Sequence, residues 1–302
     1  MIEEKTEKSE LRQYVETHRQ NIENALREHL PLAPLMIETQ FNEAIEYALF
    51  SGGKRLRPVL TLLGAELVGG KSEAILPSAA AVEFIHTSSL IFDDLPCMDN
   101  AEKRRGKTSL HEKYSEGLAI LVAIGFLNAS YGLVFVNHIG MPERAVQAHF
   151  EIVECVGASG MIGGQSVDLA LAKGANSSVF SNEDYKFESV RNLKTSALMR
   201  LALRLGAILA GANHLELAHL SRFAELLGNA YQLSDDLLDL EEDSAIFEAK
   251  QTFAISEGQE MAQLKLNNII KEAKRVLIEN FPPMEARSCL IQLTDYLAER
   301  RV

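Results

Sequence analysis

Apolar residues recur every three to four positions along almost the whole chain. Leu11, Val15, Ile22 and Leu26 mark one helical face, and Phe41, Ile45 and Leu49 the next, separated by a turn at Pro31–Pro34. The same period predicts helices over roughly 56–68, 77–94, 112–138, 143–172, 183–212, 215–241, 255–280 and 284–300. Gly69-Gly70 supplies a C-terminal stop, and Ser181 with Asp184 a capping box. No segment alternates with period two over a useful length, no repeat is visible, and the loop at 174–182 is short. The stretch 117–136 is the most apolar, but Asn128, Ser130 and Tyr131 interrupt it, so it reads as a buried core helix rather than a membrane span. The expectation is an all-α bundle of about ten helices, a single domain over residues 1–302, with residues 1–8 disordered.

Composition narrows the choice of partners. Of the 302 residues 47% are apolar, enough for a full core, and the formal net charge is −12. That balance argues against nucleic acid or an anionic membrane as the main partner. Three cysteines, Cys97, Cys155 and Cys289, show no metal-like spacing and read as a reduced, cytoplasmic protein. The acidic start lacks the apolar core of a signal peptide and the arginines of a transit peptide.

Two acidic clusters change the picture. Residues 93–99 read Asp-Asp-Leu-Pro-Cys-Met-Asp and residues 235–239 read Asp-Asp-Leu-Leu-Asp, each after an apolar helical run. Asp235 and Asp239 share a helical face at i and i+4. Pro96 and the longer spacing break that regularity in the first cluster, so Asp99 is expected to reach back from a loop. Unit charges about 4 Å apart repel by about 4 kcal/mol at an effective dielectric of about 20, so such clusters need cations. Mg²⁺ usually takes one or two carboxylates and completes its shell with water and substrate phosphates. One such cluster reads equally well as a solvated acidic turn; two, each behind an apolar helix, point to a metal-bridged diphosphate.

Two compact basic motifs stand in this acidic chain: Gly52-Gly-Lys-Arg-Leu-Arg-Pro58, and Lys103-Arg-Arg-Gly-Lys107 just after Asp99. Arginine offers a planar fork to phosphate oxygens and lysine a point charge. The glycines are expected to let backbone N–H groups approach an anion. A surface basic patch is the alternative, but basic groups beside carboxylate clusters fit a diphosphate better.

Taken together, the sequence resembles the trans-isoprenyl diphosphate synthases from about residue 40 to 255. GGKRLRP at 52–58, IHTSSLIFDDLPCMD at 85–99, RRGK at 104–107, GGQSVD at 163–168, KT at 194–195 and YQLSDDLLD at 231–239 carry the likeness. It looks most like the bacterial and plastid geranylgeranyl diphosphate synthases of the carotenoid type. The resemblance implies a polyprenyl synthetase domain, an isoprenoid synthase helical bundle with a central apolar cavity, and a homodimer without stable membrane insertion. It implies that Asp93, Asp94, Asp99, Asp235, Asp236 and Asp239 hold Mg²⁺, three ions per site with substrate bound. Lys54, Arg57, His86 and Arg105 would grip isopentenyl diphosphate. Arg104, Lys194 and Thr195 would contact the allylic diphosphate, Gln232 would lie near the reacting carbons, and Gln165 and Asp168 would support the lower acidic site. The chain departs from the family after Asp239, where about ten residues and a lid lysine are missing and Lys250-Gln-Thr-Phe253 remains.

The implied chemistry is head-to-tail prenyl transfer: the allylic group leaves as a carbocation-like fragment, and the double bond of isopentenyl diphosphate attacks it. A class I terpene cyclase also uses such aspartates but needs no second diphosphate site, which Lys54, Arg57 and Arg105 would form. A non-catalytic subunit of a heteromeric synthase would usually have lost an acidic motif, and both are intact. Product length turns on Ser88 and Ser89, about one and a half turns before Asp93, where the resembling C15 enzymes carry an aromatic floor. Small residues there imply a C20 product, geranylgeranyl diphosphate. Phe126 on the next helix could form a floor instead, which would give farnesyl diphosphate.

Overall fold

The computed structural model describes residues 9–34, 36–37, 40–136, 140–172, 193–243 and 258–299; for residues 171–172, 193–195, 239–243 and 299 only the backbone is described. Residues 1–8, the 174–182 loop, the capping box at Ser181 and Asp184, and Lys250 lie outside these. The described residues form twelve helices. They are α1 (Glu10–Glu28), α2 (Phe41–Phe50), α3 (Leu56–Leu67), α4 (Ser72–Asp94), α5 (Leu110–Lys113), α6 (Glu116–Leu133), α7 (Pro142–Val156), α8 (Met161–Ala172), α9 (Leu193–Ala210), α10 (His214–Asp243), α11 (Gln259–Asn280) and α12 (Glu285–Glu299).

Helices α3, α4 and α9 form the centre, with α6 covering α4, α7 and α8 against α9, α10 and α11 beyond, and α12 closing onto α1 and α3. The central contact is very close. A Cβ at Gly64 would stand 2.1 Å from the Leu203 carbonyl oxygen, and one at Gly206 would stand 1.9 Å from that of Thr61. Only glycine lets α3 and α9 pack backbone to backbone, and any side chain would push the two central helices apart. Around them Leu60, Leu63, Phe84, Phe223 and Leu201 are fully buried.

Three expectations change. The helix expected over 112–138 is two: α5 ends at Lys113 and α6 restarts behind Ser115, whose hydroxyl accepts from the Leu118 N–H. The helix expected over 143–172 breaks at Gly157–Gly160, a turn so close that a Cβ at Gly160 would lie 2.0 Å from the Cys155 carbonyl oxygen, so that glycine is needed there. A two-residue antiparallel pair, β1 (Lys103–Arg104) and β2 (Lys107–Thr108), stands where no strand was expected. The stop at Gly69-Gly70 follows the reading: Gly69 adopts φ +84° and the Gly70 N–H closes on the Ala65 carbonyl at 2.9 Å. Helix α4 begins a turn earlier than expected and accommodates Pro77 inside.

Candidate active site

The first acidic cluster is built by a helix that stops. α4 ends at Asp94, Leu95 turns extended, and the chain wraps back over the helix end. The Asp99 N–H donates to the Asp93 carbonyl at 2.9 Å, and the Ala101 N–H to the Asp94 carbonyl at 3.1 Å. These bonds satisfy carbonyls that a helix end leaves free, and Asn100 takes the left-handed conformation that closes the turn. Asp99 thus folds back as expected. Asp93 and Asp94 are buried at the C-terminal end of a 23-residue helix, where the backbone dipole is negative. A cation is required there, and Arg104 supplies one. Its Nε donates to Asp94 Oδ1 at 2.8 Å and its Nη2 bonds the same oxygen.

The hairpin that carries Arg104 has a two-residue tip, Arg105-Gly106, with φ of 53° and 76°. Positive φ at both positions is the hairpin geometry that matches strand twist, and glycine in the second position eases it. The tip places Arg105 on the other basic motif. Arg105 Nη1 donates to the Gly52 carbonyl at 2.7 Å, and a Cβ on Gly53 would meet Nη1 at 2.6 Å. Gly53 therefore makes room for the Arg105 guanidinium, a role the sequence did not show.

Arg57 and Arg105 converge on His86. Arg57 Nη1 lies 3.2 Å and Arg105 Nη2 3.5 Å from His86 Nε2. A guanidinium only donates, so Nε2 accepts and the imidazole carries its proton elsewhere. Desolvation, abetted by the Arg105 charge, lowers the Arg57 guanidinium below its ordinary value against the pull of Glu83 and Tyr231. The Arg57 Nε is buried and has no hydrogen-bond partner among the described residues. Crowded cations with an unused donor, in the first turn of α3, suit an anion. Lys54 is exposed beside them, its Nζ 3.5 Å from the Tyr296 hydroxyl of α12.

Arg55, between Lys54 and Arg57, works for the fold instead. It is buried at φ 51°, with Nε 2.8 Å from Glu23, Nη1 3.0 Å from Glu83 and Nη2 2.9 Å from the Leu49 carbonyl. Burial pulls its guanidinium down, but Glu23 and Glu83 outweigh that and raise it. Sequence reasoning missed this, and the only signal was a Glu three residues before His86.

The second cluster stays on a continuous helix. Asp235 and Asp236 are half-buried on α10, one turn after Tyr231, whose hydroxyl acts electrostatically on Arg57. Gln232 lies between, its Oε1 buried with no hydrogen-bond partner among the described residues. Gly228 admits α9 at this level, since a Cβ there would lie 2.6 Å from Ser196 Oγ. Lys194 and Thr195 precede Ser196 in the first described turn of α9, as backbone only, and Asp239 likewise on α10. Gln165 and Asp168 lie a turn apart on α8. Lower on α4, Ser88 is buried, and the Ser89 hydroxyl donates to the His86 carbonyl at 2.8 Å. One turn further, Phe84 packs on Phe126 of α6, ring centroids 5.2 Å apart, both fully buried.

Among the described residues no three Asp, Glu, His or Cys side chains gather closely enough to hold a metal alone. The donor set still fits Mg²⁺, which usually takes only one or two carboxylates and completes its shell with phosphate and water. A helical bundle that ends one helix in Asp93 and Asp94 against Arg104, with Arg57 and Arg105 converging on His86 of the same helix, is suited to an enzyme that handles diphosphates.

The comparisons make that class specific. The polyprenyl synthetase family matches residues 38–270. A chloroplastic geranylgeranyl pyrophosphate synthase of Capsicum annuum is 38% identical over 269 residues, covering 86% of this chain and 71% of that protein. The heterodimeric geranylgeranyl pyrophosphate synthase large subunit 2 of Arabidopsis thaliana is 35% identical over 297 residues, covering 95% and 76%. Among solved structures, an FPP/GFPP synthase from Zymomonas mobilis superposes with a TM-score of 0.83 at 30% identity, covering 95% of this chain and 98% of that one. The chain belongs to the polyprenyl synthetase family, and it is a head-to-tail trans-prenyltransferase.

Proposed function

We propose that the enzyme condenses isopentenyl diphosphate with allylic diphosphates to geranylgeranyl diphosphate, in the cytoplasm and as a supplier of carotenoid-type pathways. The convergence of Arg57 and Arg105 on His86, beside the Asp93–Asp94 helix end, carries the reading. It provides a second anion site next to the metal site, which a terpene cyclase does not need. Lys54, Arg57, His86 and Arg105 would bind isopentenyl diphosphate. The allylic diphosphate would lie between Asp93, Asp94 and Asp99 on one side and Asp235, Asp236 and Asp239 on the other, with Arg104, Lys194 and Thr195 as further contacts. Mg²⁺ bound through these carboxylates would neutralise charge on the departing diphosphate. The apolar residues of α4 and α6 would keep water from the carbocation-like fragment, and the buried Gln232 oxygen, which has no hydrogen-bond partner among the described residues, would be available to the developing positive charge.

The C20 product is supported by the relatives named as geranylgeranyl pyrophosphate synthases and by the small side chains of Ser88 and Ser89, about a turn and a half before Asp93 on α4. One turn deeper Phe84 and Phe126 are in ring contact. Farnesyl diphosphate is the second reading, favoured if Phe126 stops the chain earlier. A homodimer is supported by the exposed apolar residues Leu121 and Ile124 on α6 and Val146, Phe150 and Val153 on α7. α6 is apolar enough to cross a membrane, yet only 33% of its most apolar window is buried, which fits a face awaiting a partner. Incubation with isopentenyl diphosphate and each allylic primer, followed by product sizing, tests the reading; C20 from every primer is expected, and a C15 end point selects the alternative.

A further inference from the structure

The Arg104–Asp94 contact sits where a metal would bind. Asp94 is 5% exposed, and one of its two oxygens takes both the Nε and the Nη2 of Arg104. A carboxylate already neutralised by two charge-assisted donors attracts a cation weakly, and the guanidinium beside it repels one. The hydrogen bond to Asp94 raises the Arg104 guanidinium despite desolvation, and the charges of Asp94, Asp93 and Asp99 add to it. Arg104 therefore stands in the field of the whole first cluster. It is also free to leave: its side chain is 39% exposed, and the hairpin beneath it is anchored through Arg105 on Gly52 rather than through Arg104. Finally, no three metal donors gather among the described residues, so the cluster is not a ready cage.

We propose that Arg104 couples metal binding to diphosphate binding. It neutralises Asp94 while the site is empty, and it releases Asp94 to the metal when a diphosphate offers the guanidinium another anion. This rests on the reading of Asp93, Asp94 and Asp99 as metal ligands. Metal alone binds against the Arg104 charge or moves the guanidinium into water, whereas metal with diphosphate exchanges one anionic partner for another. The two ligands thereby strengthen each other's binding, by the same factor in either direction. Arg104 is a positioning residue for the metal and a contact for the diphosphate in turn.

Mn²⁺ binding to the full chain, read by the spin-resonance signal of the free ion, tests this without any turnover. Without diphosphate, Arg104→Gln is expected to bind Mn²⁺ roughly five- to tenfold more tightly than wild type. Arg104→Lys should show a smaller gain in the same direction, and it keeps the test available if the Gln variant fails to fold. Inorganic diphosphate should enhance Mn²⁺ binding strongly in wild type and several-fold less in Arg104→Gln. Asp94→Asn added to Arg104→Gln should abolish the gain. Unchanged or weaker Mn²⁺ binding in both Arg104 variants, with undiminished enhancement by diphosphate, overturns the coupling. If instead Asp93→Asn and Asp94→Asn leave Mn²⁺ binding with diphosphate at the wild-type level, the metal assignment itself fails.

Discussion

The two aspartate clusters have nearly the same letters and are built in opposite ways. Asp235 and Asp236 lie on α10, which runs on unbroken to Asp243. Helical spacing alone sets which of their neighbours share a face. Asp93 and Asp94 end α4, and Asp99 returns through a turn closed by its own N–H on Asp93. The 235–239 spacing needs no tertiary contact to exist. The 93–99 cluster puts two buried carboxylates at the negative end of a helix and draws on Arg104 as the counter-ion of Asp94. One cluster is local geometry; the other is a tertiary construction with its own counter-ion.

The largest expected effect breaks both alike. Asp93→Ala and Asp235→Ala should each lower turnover by at least about a hundredfold at saturating Mg²⁺, with unchanged circular dichroism melts. Near-normal turnover in either variant would reject the paired clamp.

The support of the first cluster is then separable from its chemistry. Arg55→Leu leaves Glu83 buried and unpaired, which should destabilise the fold by about 3 kcal/mol, read as a shift in the urea midpoint. Arg57→Leu, two residues away, should keep most of the stability and raise the KM for isopentenyl diphosphate. Loss of stability in both alike would show that the two arginines do not divide the work.

Below the first cluster, Ser88→Phe should shorten the main product from C20 to C15 while turnover persists. If the wild type already stops at C15 from geranyl diphosphate, Phe126 takes over as the floor.

On the side of the second cluster, Lys250→Ala should raise the KM for the allylic substrate by several-fold more than that for isopentenyl diphosphate, since the family resemblance implies that a lid lysine is missing after Asp239. Equal effects on both substrates would remove Lys250 from the allylic site.

The smallest effect is a matter of access. Burial, with nearby acidic residues, pushes the Cys155 and Cys289 thiols up to about 12, so at pH 8 they stay protonated and unreactive. Cys97, exposed in the first cluster's loop, should be the one thiol that a maleimide labels in the folded enzyme, by intact mass. Labelling of Cys155 at a similar rate would show that α7 and α9 open far more readily than their packing suggests.

Periodicity by itself determined that the chain is helical and where most helices lie, because a 3.6-residue apolar repeat is a property of each segment alone. It also determined the second cluster, for the same reason. The chemistry of the first was visible in its residue types, since carboxylates and arginines declare charge wherever they stand. Contact across the chain decided the rest. Whether an arginine in Gly-Gly-Lys-Arg-Leu-Arg serves fold or substrate depends on Glu23 and Glu83, which lie 32 and 28 residues away from Arg55. The breaks at Gly157–Gly160 and before Ser115 go with close backbone approaches and caps that an apolar stripe does not record. The pairing of Arg104 with Asp94, Arg105 with Gly52 and Phe84 with Phe126 joins separate elements, and only the packed bundle brings their atoms within reach.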